Sequence, residues 1–154
     1  MHLRVVLGAV VVASAIEAQI AGQSPSLPNR RDSLKFAVIG DSGDGRQPQY
    51  DVGRQMAAAR ALFRFDLVLM VGDNLYGSQE LADRVKKFEL PYKPLLQSGV
   101  VFQAALGNHD DLESRSYRPV NMNGERYYTF AKQNVRFIAL DTNMLDAKQP
   151  GHRF

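Results

Sequence analysis

The 154-residue chain contains no cysteine, and this absence removes several chemistries at once. Disulfides, thiolate zinc sites and cysteine nucleophiles are excluded, so any bound metal ion must take oxygen or imidazole ligands. The excess of positive over negative charge is also small, with a formal net charge of +3. The longest basic runs are pairs such as Arg30-Arg31 and Lys86-Lys87. Nucleic-acid binding needs a clustered basic face. We therefore expect no nucleic-acid partner.

Long hydrophobic runs are missing as well. The longest, over residues 5–16, is shorter than a standard transmembrane helix. It follows a basic start and precedes an A-x-A pattern at 13–15, which together are typical of a signal peptide over 1–18. An uncleaved anchor or a buried strand is the alternative. We expect no stable membrane span, a periplasmic or extracellular location, and a polar linker over 19–33.

Beyond the linker, short apolar runs alternate with segments of helical periodicity. Apolar runs predict buried strands at 34–39, 67–71 and 100–106. Helical spacing predicts helices at 50–65 and 79–89, the second ended by Pro91 and Pro94. Two further strands are predicted at 127–130 and 135–140, with a turn at 132–134. This order of elements predicts an α/β fold with a mainly parallel sheet.

Each of the first three predicted strands ends at a glycine that is followed by a polar residue. Asp41 follows the first strand, Asp73 and then Tyr76 follow the second, and Asn108-His109 follows the third. Asp73 comes 32 residues after Asp41 and 35 before Asn108, and either spacing suits one strand–helix–strand unit. Because the carboxyl ends of parallel strands meet at one edge of a sheet, we expect these side chains to converge.

The residue types at this edge point to metal-dependent chemistry. Two carboxylates at one buried rim repel each other unless they are protonated or bind cations. A pair of metal ions resolves that conflict, since one carboxylate can bridge two ions about 3.5–4 Å apart that clamp both oxygens of a phosphoryl displacement. The sequence therefore predicts a two-metal phosphoester hydrolase site.

At these motifs the sequence resembles the calcineurin-like metallophosphoesterase family. The segments 40–43 (GDSG), 72–73 (GD) and 107–110 (GNHD) match the first three blocks of that family, D-x-[HG], G-D and G-N-H-[DE]. Most members have a metal-binding histidine where this chain has Gly43. Gly43 together with Tyr76 is similar to the purple acid phosphatase branch, in which a tyrosinate replaces that histidine on the ferric ion. The segments at 126–130 (RYYTF) and 137–142 (FIALDT) are also similar to small purple acid phosphatases, and the resemblance runs over 34–149.

This resemblance implies a fold, a site and a reaction. The fold would be an α/β metallophosphoesterase-type β-sandwich flanked by helices. Asp41 and Tyr76 would bind the first metal ion, Asp73 would bridge both ions, and Asn108 would bind the second. The ions would be iron with iron, zinc or manganese. His109 would contact the substrate phosphate as a hydrogen-bond donor or general acid. The reaction would be hydrolysis of a phosphomonoester, either a small molecule or a phosphoprotein, by hydroxide at the dinuclear centre.

The chain also departs from the family pattern. Two later blocks, a lone histidine and G-H-x-H, have no counterpart before the sequence ends. His152 follows a glycine but lacks the second histidine, so we expect 150–154 to be an aberrant tail and 34–149 to be the N-terminal part of the domain, with the C-terminal half missing. We then expect little or no phosphatase activity. A non-enzymatic truncated remnant is the main competing hypothesis.

Two less favoured hypotheses concern the loop after the first strand. Ser42 lies in a GDS segment that resembles the nucleophile block of GDSL-type serine esterases, but the chain lacks the D-x-x-H needed to activate it. Gly40, Gly43 and Gly45 follow the dinucleotide pattern in the wrong order, G-x-x-G-x-G, and the neighbouring aspartates would repel a pyrophosphate. The metal site is therefore preferred to a serine esterase and to a dinucleotide-binding domain.

Overall fold

The computed structural model describes residues 30–145. All elements below belong to the compact unit that begins at Asp32. Three strands form a parallel sheet in the order β1–β2–β3, with β1 at Ala37–Ile39, β2 at Leu67–Val71 and β3 at Val101–Ala105. An antiparallel hairpin consists of β4 (Tyr128–Lys132) and β5 (Val135–Ala139). The predicted α/β class with a parallel core is confirmed. The predicted signal peptide, the aberrant tail and most of the linker lie outside the described residues.

Helices connect the parallel strands. The first, α1 (Gln47–Leu62), links β1 to β2. Between β2 and β3 the chain forms α2 (Leu81–Arg84), which continues as a π-helical turn at Val85–Glu89, and then α3 (Lys93–Gln97). Shorter 3₁₀ turns follow at Leu112–Ser116, Arg118–Val120 and Thr142–Leu145. No helix among the described residues is long and apolar enough to cross a membrane.

Two helix predictions and the expected role of Pro94 need correction. The helix predicted at 50–65 begins and ends three residues earlier. Its earlier start is explained by Pro48, which occupies the first turn of α1, where a missing N–H costs nothing. The segment predicted as one helix at 79–89 contains α2 and the π-helical turn. Pro94, which we expected to act only as a breaker, lies in the first turn of α3.

The helices cover one face of the parallel sheet and form the core with it. Phe88 from the π-helical turn packs edge-on against Phe102 of β3, with ring centroids 5.1 Å apart, and both residues are fully buried. Tyr92 packs on the same pair. Burying a large apolar side chain stabilises a fold by about 1.5–3 kcal/mol, and edge-to-face aromatic pairs add to that. This aromatic cluster joins the helical segment between β2 and β3 to the parallel sheet.

The hairpin lies on the opposite face of the sheet. The Tyr128 hydroxyl donates a hydrogen bond to the carbonyl oxygen of Ala104 at 2.8 Å, and Lys132 pairs with Asp66 at 2.9 Å. With helices on one side and the hairpin on the other, the layers fit part of the expected helix-flanked sandwich. Apolar side chains remain exposed here, with Val38 at 54% and Val71 at 60% exposure.

Candidate metal centre

The loops that follow β1 and β2 are joined by backbone hydrogen bonds at the carboxyl edge of the sheet. The N–H of Asp41 donates to the carbonyl of Gly72 at 3.2 Å, and the N–H of Ser42 donates to the carbonyl of Asp73 at 3.3 Å. Both aspartates have left-handed backbones, with φ of 52° at Asp41 and 49° at Asp73. Such conformations cost of order 1–3 kcal/mol each and cluster at functional sites. Two strained aspartates therefore mark this edge as a candidate site.

The Tyr76 hydroxyl lies between the two carboxylates. Its oxygen is 3.0 Å from Oδ1 of Asp41 and 3.1 Å from Oδ2 of Asp73. One phenolic proton therefore serves two acceptors. Desolvation, together with the hydrogen bonds to the two carboxylates, raises the pKa of Tyr76 well above its ordinary value. Three oxygen atoms therefore surround one proton, and such a group of oxygen ligands suits a hard cation.

Gly43 explains how Tyr76 reaches this position. A Cβ atom at residue 43 would lie 1.7 Å from the carbonyl oxygen of Asn74, so the structure has no room there for any side chain. This close approach lets the N–H of Tyr76 donate to the carbonyl of Gly43 at 2.9 Å. The pairing of Gly43 with Tyr76 noted in the sequence therefore corresponds to a direct contact between the first two loops.

The third loop brings His109 to the same place. Its N–H donates to Oδ1 of Asp73 at 3.2 Å, and its exposed imidazole lies beside the Tyr76 ring, with centroids 4.9 Å apart. Asn108 is exposed on this loop and lines an open cleft of about 440 Å³, together with Arg126 and Asp141. Four of the five predicted site residues are thus linked by direct contacts through Tyr76 and Asp73, whereas Asn108 precedes His109 in the chain and lines the cleft.

Asp110 holds the second and third loops together, a role that the sequence did not predict. Its Oδ2 accepts hydrogen bonds from the N–H of Gly107 (2.8 Å) and from both the N–H (3.1 Å) and Nδ2 (2.8 Å) of Asn74, while its Oδ1 accepts from the N–H of Leu75 at 2.9 Å. Burial raises the pKa of Asp110, and the amide bonds oppose that rise. The G-N-H-D block contained the signal, but matching a motif does not reveal which atoms a carboxylate binds.

The donors present fit a hard cation. Across residues 30–145, no three side chains drawn only from His, Cys, Asp and Glu come together as a metal site. The cluster instead combines two carboxylates with a phenol, so it offers oxygen ligands of the kind that hard ions prefer. The oxygen atoms of Asp41, Asp73 and Tyr76 lie together at one point of the sheet edge, while Asn108 lines the neighbouring cleft.

A family model described as calcineurin-like phosphoesterase matches residues 34–147. The chain belongs to the calcineurin-like phosphoesterase family. Members of this family use a dinuclear metal centre, and the resemblance found in the sequence is confirmed. A segment of 45 residues is 42% identical to a protein of Arabidopsis thaliana named "Probable inactive purple acid phosphatase 14". That match supports the purple acid phosphatase branch.

The matched segment is short relative to both proteins. It covers 29% of this chain and 11% of the Arabidopsis relative. No solved structure matches the chain. The family therefore establishes a metal-dependent phosphoesterase domain in general, while the metals and the substrate are matters for proposal.

The structure offers no support for a serine esterase. The Oγ atom of Ser42 is buried and has no hydrogen-bond partner among the described residues. A nucleophilic serine needs a general base within about 2.6–3.2 Å. The neighbouring Asp41 does not supply that base, because its Oδ1 accepts a hydrogen bond from the Tyr76 hydroxyl and none from Ser42.

Proposed function

We propose that this chain carries a dinuclear metal site for the hydrolysis of phosphoric monoesters, in the manner of an acid phosphatase. The observation that carries the proposal is the single Tyr76 hydroxyl wedged between the carboxylates of Asp41 and Asp73. When bound, such a centre polarises the phosphoryl oxygens and supplies hydroxide near neutral pH. The remaining steps depend on side chains of this chain.

Each ligand has a proposed role. Asp41 and Tyr76 hold the first ion, Asp73 is shared, and Asn108 binds the second ion. Tyr76 must lose its proton to bind, and a phenolate beside carboxylates suits a hard trivalent ion, so we propose iron at the first position and iron, zinc or manganese at the second. Support comes from the contacts that Asp73 makes with Tyr76 and His109, and from the contact between Tyr76 and Asp41.

His109 would act on the substrate rather than on the metals. Its imidazole is exposed beside Tyr76, while its N–H is fixed by Asp73. From there it could donate a hydrogen bond to the phosphate or a proton to the leaving oxygen, as a general acid does. The open cleft along Asn108 offers room for the organic part of a small phosphomonoester or a phosphoprotein side chain. We also propose export through the segment 1–18.

A metal-binding protein without turnover is the second candidate. The observation that favours it is the Arabidopsis relative, whose name calls it inactive. In that case the same ligands would bind metal, but phosphate esters would not be hydrolysed.

The test is an iron-loaded protein examined by visible absorbance and by hydrolysis of p-nitrophenyl phosphate. We expect a tyrosinate-to-iron band that disappears in Tyr76→Phe and persists in Tyr127→Phe, a matched control at a tyrosine that is 66% exposed. Iron-loaded protein without the band would refute the role of Tyr76. Turnover that is lost in Asp73→Asn would support the phosphatase, and a band without turnover would support the second candidate.

A further inference from the structure

Gln79 is a buried polar residue that no sequence motif marks. Its side chain is 4% exposed and all four of its hydrogen-bonding positions are used. Nε2 donates to the carbonyl oxygens of Leu75 at 3.0 Å and His109 at 2.8 Å. Oε1 accepts from the N–H of Asp111 at 3.0 Å and from the Ser114 hydroxyl at 2.7 Å. Two carbonyls on one side and two donors on the other fix the orientation of the amide.

These bonds connect the loop that carries Asp73 and Tyr76 to the loop that carries His109. The backbone of His109 is held from both sides, since its N–H donates to Asp73 while its carbonyl accepts from Gln79. The imidazole itself is exposed, so packing does little to fix it. What keeps the ring beside Tyr76 is the placement of its backbone.

We propose that Gln79 is a positioning residue that sets where the His109 imidazole stands at the metal centre. The hydrogen bond to the His109 carbonyl reaches it from the neighbouring loop, through the Nε2 of Gln79. Its importance for phosphate chemistry rests on the proposed function, because it acts through the imidazole assigned there. The geometric part of the inference does not depend on metal or on turnover.

The experiment is proton NMR of the histidine rings in the metal-free chain of residues 1–154. Histidines occur only at positions 2, 109 and 152, so His109→Gln assigns the signal. Gln79→Glu keeps both acceptor bonds, removes both donor bonds and places a carboxylate against two carbonyls. We expect the His109 ring signal to move towards that of a mobile histidine and its Overhauser contact with the Tyr76 ring to be lost.

Asn121→Asp is the matched control. The Asn121 amide also donates to two carbonyls, those of Phe102 at 2.8 Å and Pro119 at 3.3 Å, but it lies towards the other end of β3 from His109. The same change from amide to carboxylate should lower stability there and leave the His109 signal in place. If Gln79→Glu does not fold, Gln79→Met removes the same donors without adding charge and should shift the signal in the same direction.

The outcomes separate this inference from the proposed function. A His109 signal that is unchanged in the folded Gln79 variants, or that shifts as much in Asn121→Asp, would overturn the positioning role. A shift confined to the Gln79 variants supports the positioning role, even if the wild type binds no iron. A wild type that binds no iron would refute the proposed function but not the positioning role. In protein that does hydrolyse phosphate esters, we expect kcat to fall by on the order of 10²-fold in Gln79→Glu, the scale for a catalytic group displaced by about 1 Å.

Discussion

Replacing Asp110 by asparagine should loosen the candidate site without touching any proposed ligand. The wild-type carboxylate accepts four hydrogen bonds, three on Oδ2 and one on Oδ1. An asparagine has one acceptor oxygen, so its better orientation keeps the three bonds to Gly107 and Asn74. Its NH₂ group then faces the N–H of Leu75, a donor against a donor.

The magnitude follows from these contacts. A part-buried donor left without an acceptor costs about 1–3 kcal/mol. The three remaining bonds lose their charge assistance, which roughly halves the strength of each. Because burial raises the pKa of Asp110, the ionised carboxylate already carries a desolvation penalty, and the neutral amide regains part of that cost. The net loss should be about 3 kcal/mol, or a fall in Tm of about 10 °C for a domain of this size.

The assay is thermal and urea unfolding of Asp110→Asn beside Asp111→Asn, the same change one residue along at an exposed aspartate. Exposed substitutions usually change stability by no more than about 0.5 kcal/mol. Equal losses in the two variants, or a loss below about 1 kcal/mol at Asp110, would refute the view that this carboxylate joins the loops. In iron-loaded protein, Asp110→Asn should also weaken metal binding, because Asp73 lies directly before Asn74.

Three further perturbations test other contacts. Gly43→Ala should lower the free energy of unfolding by about 3 kcal/mol or more, because its Cβ would lie 1.7 Å from a backbone carbonyl oxygen. Gly77→Ala has open space around it and should lose only about 1 kcal/mol, for its left-handed backbone. Similar urea midpoints for the two variants would contradict this difference. Asp73→Asn should raise the Tm of metal-free protein by removing one of two neighbouring carboxylates while abolishing iron binding; a lower metal-free Tm would count against mutual repulsion. Burial raises the pKa of Tyr128 to about 12. The free energy of unfolding should therefore be insensitive to this group below pH 10 and should fall as the pH rises from 10 towards 12, where the unfolded chain loses the proton first. The decline should be shallower in Tyr128→Phe, and an equal decline in denaturant titrations of the two proteins would refute this role of Tyr128.

The sequence predicted β2 closely, but β1 covers only Ala37–Ile39 of the strand predicted at 34–39, and the helices were predicted less well. The apolar run at 67–71 coincides with β2 because it is continuous, as in a buried parallel strand, and because Gly72 ends it. Apolar periodicity alone placed the start of α1 too late, since the helix opens with the polar residue Gln47 and with Pro48. The π-helical turn at Val85–Glu89 was not predicted, because apolar spacing over so few residues does not distinguish it from an α-helical turn.

In the candidate site, too, some features could be predicted from the sequence and others could not. Topology alone brings strand ends to one edge, so the convergence of Asp41, Asp73, Tyr76 and His109 could be predicted. The contacts of Gln79 could not, because a glutamine at the start of the helix predicted at 79–89 has the same sequence signature whether it is solvated or fully bonded. Its role appears only once four partners from three segments are seen around one amide.

Hydrogen-bond saturation separates the structural carboxylate of this edge from the ones proposed to bind metal. The described residues give Asp110 four N–H donors, Asp73 two donors and Asp41 one, and the last two share the Tyr76 proton. A carboxylate whose lone pairs are filled by backbone amides has little left for a cation, whereas one that shares a single proton gains bonds when an ion replaces that proton. In carbon NMR, metal binding should therefore move the carboxylate resonances of Asp41 and Asp73 and leave that of Asp110 in place. A shift that is largest at Asp110 would mean that the ion occupies a different position.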